Sequence, residues 1–367
     1  MTITRFPSIE QYRNAIRNVK HKACFRGRDE NGEPILDLSA PIPSIKYRGT
    51  VKLHGTNAGI VWNHDDLFLS YQSRERILSL TQDNAGFMLY MSSKEDTVRN
   101  IFSTIVENLD ERFDAYGSVV TNIAIFGEWC GQGIQKGVAI SELPKMFVIF
   151  AAKVFYTDDT FGHEDTEEKS FWVDDSVLSQ LHSEEDRIFN ILQFPYFDLV
   201  IDFNYPEIAQ AKMIKITEEV ENECPVGKYF GVSGIGEGVV WKPLEDRWKG
   251  SDHWFKVKGE KHSVSKVKTL AAVDVEAAAS LRDFVDSTVT QARLEQGVHW
   301  LVNEAKKPLS MASMGDFIRW VFNDVVKEET DTIVASQLDP KKLGGPIANK
   351  SRPWFVNYLN TQEGIAT

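Results

Sequence analysis

Short runs of β-branched and aromatic residues recur between residues 44 and 260: GTVKLHG, AGIVWN, LFLSYQS, NIAIFGEW, MFVIFAAKVF, GEGVVWKP and HWFKVKG. Each has strand length, and such residues suit a pleated, half-buried surface. The NHDD between the second and third reads as a hairpin turn. Antiparallel sheets are therefore expected here. The segment SSKEDTVRNIFSTIVENLDERF is expected to cover one of them as a helix, because Val98, Ile101, Phe102, Ile105 and Leu109 recur at helical spacing. Past residue 265 the period becomes helical. In MASMGDFIRWVFNDVVKEE, Phe317, Trp320, Val321 and Val325 share one face, and Ser310 or Ser313 is expected to cap it. The pattern predicts an α+β chain: an antiparallel-sheet domain over 1–265 and a small all-helical C-terminal domain over 266–367.

Length and composition fit that picture. The chain has 367 residues, 42% hydrophobic and 26% charged, too long for one ordinary domain and with no run near the roughly 18 apolar residues a membrane span needs. The opening segment MTITRFPSIEQYRNAIRN does not resemble a secretory signal. Cys24, Cys130 and Cys224 are odd in number and lack CxxC spacing, which argues against a disulfide framework or structural zinc. A soluble monomer in a reducing cytoplasm is expected, without membrane association.

The net charge of −12 would disfavour a nucleic-acid binder. Its location changes that reading. Residues 158–186 hold eleven Asp and Glu against one Lys, a net of −10, which leaves −2 for everything else. The acidic stretch reads as a solvated loop, and a basic groove elsewhere remains compatible with the total.

Five strand-borne patches carry candidate chemistry: Lys52 in VKLHGTN, Glu128 in IFGEWCGQGIQKGV, Phe150 in FVIFAAK, Glu237 and Lys242 in GEGVVWKP, and Lys256 with Lys258 in WFKVKG. Strand alternation puts Lys256 and Lys258 on one face and Phe255 with Val257 on the other, so two ammonium groups point the same way. Such a pair can clamp phosphates, and its field would favour the neutral, nucleophilic amine at Lys52. Attack on a phosphorus would also need a carboxylate for a metal, an acceptor for a ribose hydroxyl and an aromatic face for a base. Glu237, Glu128 and Phe150 fill these places in that order.

Taken together, these segments resemble the phage RNA ligases of the RNA-ligase-2 type, within the covalent nucleotidyltransferase superfamily of RNA ligases, DNA ligases and capping enzymes. The KLHGTN segment matches the motif whose lysine is adenylylated. The resemblance spans roughly residues 45–265, with every motif in order. It implies an antiparallel-sheet nucleotidyltransferase fold, ATP-grasp-like in outline, and an ATP-dependent ligase acting on RNA 3′-hydroxyl and 5′-phosphate ends with Mg²⁺ or Mn²⁺. It implies Lys52 as nucleophile, Glu128 on the ribose, Phe150 stacked on adenine, and Glu237 on the metal with Glu128 joining through water. Lys242, Lys256 and Lys258 would meet the nucleotide, with Val51 and Asn57 beside the nucleophile. An arginine between the first two motifs is expected on the phosphate; Arg74 sits at the matching place, with Arg76 close by. Val51 is a departure, because several relatives carry glutamate there.

Each residue also has a plainer reading. Lys52 alone would be an exposed strand lysine, Glu128 and Glu237 partners in ordinary ion pairs, and His54 a structural histidine as readily as a site residue. Trp129, Trp241 and Trp254 read as core, and Cys130 as buried and inert. The rival functions are a DNA ligase, a capping guanylyltransferase, or a catalytically silent RNA-binding module.

Overall fold

The computed structural model describes residues 3–63, 67–109, 118–158, 168–259, 281–335 and 338–363. Its strands are β1 (Glu10–Gln11), β2 (Phe25–Arg28), β3 (Pro34–Leu36), β4 (Ser44–Lys52), β5 (Thr56–Asn63), β6 (Leu69–Ser73), β7 (Ser118–Cys130), β8 (Met146–Asp158), β9 (Lys169–Trp172), β10 (Ile188–Asn190), β11 (Tyr196–Asp202), β12 (Gly238–Pro243) and β13 (Phe255–Lys258). Every run expected as a strand is one. Part of the NHDD turn, and the expected domain boundary at 265, lie outside the described residues.

The chain divides into two compact units. The first comprises Met1–Ser8, Tyr47–Leu199 and Glu218–Ser251. It contains a six-stranded sheet in the order β10-β8-β7-β5-β6, with β9 beside β8. All its pairings are antiparallel except β10 with β8. Helices Phe87–Ser92 and Glu95–Glu107 cover one face. Val98, Ile101, Phe102 and Ile105, at the expected spacing, are buried in one cluster with Ile60, Ile123, Ile125, Trp129, Phe147 and Ile149. Phe126 and Glu128 alternate with Ile125 and Trp129 on β7 and so belong to the other face.

The pairing of β7 with β8 slips at two points; at the second, Gly127 faces Ile149 but Phe126 faces Ala151. Phe150 is the extra residue of this bulge. The slip changes the phase of β8: Phe147 and Ile149 enter the core before it, Ala152 and Val154 after it. A bulge re-aims a side chain and interrupts the ladder, and here it does so at the aromatic residue singled out in the sequence.

The same unit holds β4 against β12 in antiparallel register, with Lys52 opposite Gly238 and Gly49 opposite Trp241. A Cβ at Gly49 would lie 2.8 Å from the Trp241 ring, so only glycine lets that indole cover the strand. Trp129, Trp241 and Trp254 are all buried, as expected.

The acidic stretch is not simply a loop. Lys169–Trp172 form β9, and Asp175–Leu178 form a helical turn. Asp175 pairs with Arg48 at 3.0 Å, Asp186 with Lys94 at 2.7 Å, and Asp174 with Lys249. Its carboxylates thus neutralise bases that flank it, a relation invisible in a local charge count.

The second unit comprises Ile9–Lys46, Val200–Thr217 and Asp252–Thr367. In it β1 runs parallel to β13, with Gln11 opposite Lys256, and β2 pairs with β3. From residue 281 onward every described regular element is helical. Phe317, Val321 and Val325 of helix Met314–Glu328 are buried in its core with Phe284, Leu301, Leu343 and Phe355. The expected serine cap is absent: neither Ser310 nor Ser313 makes a side-chain cap bond. A 3-10 turn leads into the helix, and the Ser313 hydroxyl donates instead to the Pro308 carbonyl at 2.7 Å. No helix among the described residues is long and apolar enough to cross a membrane.

Candidate active site

Lys52 ends β4, and Glu237 immediately precedes β12, so the β4–β12 register brings two residues far apart in sequence into one place. Lys52 Nζ donates to Glu237 Oε2 at 2.7 Å, and His54 Nδ1 lies 3.3 Å from the same oxygen. The Glu237 side chain is only 2% exposed and that of Lys52 23%.

Glu128, near the end of β7, forms the third side. Its Oε1 accepts the Gly55 backbone N–H at 2.9 Å. Gln135 donates its side-chain amide to the Gly55 carbonyl at 3.3 Å, and Asn84 donates to the Thr56 hydroxyl at 3.0 Å. Both therefore hold the HGT turn after the nucleophile. Sequence reasoning missed them, although Gln135 lies within a quoted motif. Gly55 has no room for a side chain: a Cβ would run into the Trp129 carbonyl and stand 2.7 Å from the Cys130 Cβ.

The electrostatics reverse one expectation. Burial disfavours the charge on Lys52, but Glu237 and Glu128 outweigh it, and the ammonium is held above its usual pKa despite Arg74. Lys52 at rest is a clamped cation, not an amine made neutral by neighbouring lysines. The physical reason is proximity: a buried carboxylate in hydrogen-bond contact dominates more distant charges. Glu128 moves the other way. Burial raises it most; Lys52, the Gly55 N–H and Arg74 pull it down, Glu237 pushes it up, and it settles at about 7. Cys130 is buried and its thiol is pushed well above the ordinary value, chiefly by burial, as expected of an inert cysteine.

Around this centre lie the remaining candidates of the first unit. Asn57 faces Glu128 across β5 and β7, and Val51 is buried on β4. Arg74 acts electrostatically on both Lys52 and Glu128 and donates to the Ser8 hydroxyl at 3.2 Å. Lys242 Nζ donates to the Phe150 carbonyl at 2.6 Å and lies 5.8 Å from its ring centre. The bulge turns that carbonyl to a side-chain donor, and burial pushes Lys242 down to about 8, partly opposed by Asp175.

Lys256 and Lys258 lie on β13 in the second unit. Phe255 and Val257 are buried and the two lysines half-buried, so the expected alternation is present. Lys256 Nζ meets Glu328 Oε1 at 3.1 Å. Burial raises the Glu328 carboxyl, but Lys256, Lys258 and Arg293 overcome it and hold it down to about 2.

A model of the RNA ligase family matches residues 45–258, more than half of the 367 residues, and the chain belongs to that family. Among solved structures it is similar to the Naegleria gruberi RNA ligase with PPi, at 17% identity and a TM-score of 0.37, covering 71% of this chain and 56% of that one. A mutant of the same ligase with ATP and Mn gives 17% identity, a TM-score of 0.39 and coverage of 71% and 57%. The match thus spans little over half the length of that ligase. No curated protein matches the chain.

Proposed function

We propose that the protein is an ATP-dependent RNA ligase, of the RNA-ligase-2 type, that joins RNA 3′-hydroxyl and 5′-phosphate ends through a lysine–AMP intermediate. The observation that carries this reading is Lys52, the lysine of KLHGTN, held at 2.7 Å by the buried Glu237 and flanked by Glu128. In this reading residues 1–265 are the nucleotidyltransferase domain and residues 266–367 an appended helical domain, which the family match to residues 45–258 supports.

Lys52 must shed a proton before it can attack. While Nζ is protonated and paired with Glu237 Oε2, the nitrogen has no free lone pair; engagement of Glu237 elsewhere in the loaded site removes that stabilisation, the proton passes to solvent water, and the neutral amine is the nucleophile. The amine then forms an N–P bond to the α-phosphorus of ATP, the bond to the bridging oxygen breaks, and pyrophosphate leaves. AMP next passes to the RNA 5′-phosphate, restoring the free lysine. Finally the 3′-hydroxyl attacks that activated phosphate and expels AMP.

Glu237, with Glu128 reached through water, suits Mg²⁺ or Mn²⁺, which supplies neutralisation of charge building on the phosphate oxygens. Among the described residues no group of three or more His, Cys, Asp or Glu could hold a metal. Phe150 would stack on the base, Arg74 meet a phosphate, and Lys256 and Lys258 neutralise the triphosphate once Lys256 leaves Glu328.

The test is ATP-dependent sealing of otherwise identical RNA, DNA and hybrid nicks. The expected result is a sealed RNA product with a transient adenylylated 5′ end. Sealing of DNA alone, or nucleotide transfer from GTP but not ATP, would overturn the proposal.

A further inference from the structure

Phe6 belongs to the first unit, and nothing in its sequence setting marks it out. The segment around it is clipped to β6. The Thr4 N–H donates to Gln72 Oε1 at 3.1 Å, and the Gln72 side-chain amide returns a bond to the Thr4 carbonyl. Ser8 accepts from Arg74. Between these anchors the Phe6 ring meets Phe150 edge-on, with centres 5.0 Å apart and planes at 61°. It also contacts Phe126 at 5.2 Å and Trp172 at 5.9 Å.

Phe150 is the residue most in need of such support. It sits at a bulge, where the ladder does not dictate its direction. Lys242 fixes its carbonyl, but a bond to the backbone leaves the side-chain torsions free. An edge-to-face neighbour supplies the missing constraint, because the positive rim of one ring against the negative face of the other defines a preferred orientation.

We propose that Phe6 is a positioning residue for nucleobase binding: clipped to β6 through Gln72, it sets the plane of the Phe150 ring on which a purine would stack. This rests on the reading of Phe150 as the base-stacking residue of an adenylylating enzyme. The clip also joins base and phosphate recognition, since the same short segment holds Phe6 against Phe150 and Ser8 against Arg74.

The test uses the full chain with Phe6→Ala, Phe6→Leu and Phe6→Tyr, measuring lysine–AMP formation against ATP concentration and its inhibition by inorganic tripolyphosphate. Loss of one ring pair should raise the KM for ATP by about 3- to 10-fold in the Ala and Leu variants. The saturated rate and the tripolyphosphate inhibition should hold near wild type, and Phe6→Tyr should restore the KM. A merely structural residue would move all three quantities together, and that outcome overturns the proposal. An unchanged KM overturns it as well, and a lowered KM would make Phe6 an obstruction in the pocket. If Phe6→Ala does not fold, Phe6→Leu carries the same comparison. Absence of any label on the wild-type protein would instead refute the ligase reading itself.

Discussion

The carboxyl of Glu128 is displaced from the usual 4.5 to about 7, with burial as the largest cause. Glu128→Gln removes the titration while keeping an oxygen that can accept the Gly55 N–H. The sign follows from proton binding. Below about pH 4.5 the group is protonated both folded and unfolded and contributes no difference. As pH rises toward 7 the unfolded chain ionises while the folded site keeps its proton, so wild-type stability falls, and above 7 the penalty is complete. At about 1.4 kcal/mol for each pH unit between the two values, the ceiling is about 3 kcal/mol. The side chain is only half-buried, so water screens part of this, and about 2 kcal/mol is expected. Thermal unfolding of wild type and Glu128→Gln at pH 5 and pH 8 reads the difference. The variant should gain on wild type as pH is raised, by several degrees in Tm. Parallel pH dependences of the two proteins would refute the reasoning.

Two other perturbations follow from the packing. Gly55→Ala should destabilise the first unit by about 1–3 kcal/mol and depress lysine–AMP formation, because its Cβ would collide with the Trp129 carbonyl and crowd Cys130; wild-type melting and labelling would contradict the crowding. In the second unit Arg293 and Glu329, both 0% exposed, face each other at 3.5 Å, and Arg13 also meets Glu329. Glu329→Ala should therefore cost about 1–3 kcal/mol in denaturant unfolding by removing the buried counter-charge that Arg13 and Arg293 share, Arg293 keeping Asp324 at 2.8 Å, and a loss below about 0.5 kcal/mol would show that the pair is not holding the helices.

Most of the fold was legible because strands and helices announce themselves through local period. β4 through β8, β12 and β13 coincide with the aliphatic and aromatic runs, and helix Glu95–Glu107 buries four of the five residues its spacing named, Leu109 falling past its end and staying partly buried. What escaped depends on partners distant in sequence. β9 lay hidden in an acidic stretch whose Asp174, Asp175 and Asp186 are answered by Lys249, Arg48 and Lys94 from other segments. Ser313 satisfied the composition of a cap, but a 3-10 turn before the helix gave its hydroxyl another acceptor.

The site divides in the same way. The residue types of Lys52, Glu128, Phe150 and Glu237 were readable from their motifs. The charge on Lys52 was not, since it is set by a carboxylate 185 positions away. Strand alternation could not foresee that a bulge would give Phe150 its direction and lend its carbonyl to Lys242. Phe6 carried no signal at all, because its importance comes from where Gln72 holds the backbone rather than from its own surroundings in sequence.

The central claim is that Lys52 is the nucleophile. Incubation with α-labelled ATP and Mg²⁺, followed by denaturing electrophoresis and peptide mapping, tests it most directly. Wild type should carry AMP on Lys52, while Lys52→Ala should carry none. Lys52→Arg should also fail, because a guanidinium stays protonated and cannot attack phosphorus. Undiminished covalent labelling of Lys52→Ala, or label mapped to another residue in the wild-type protein, would contradict the account.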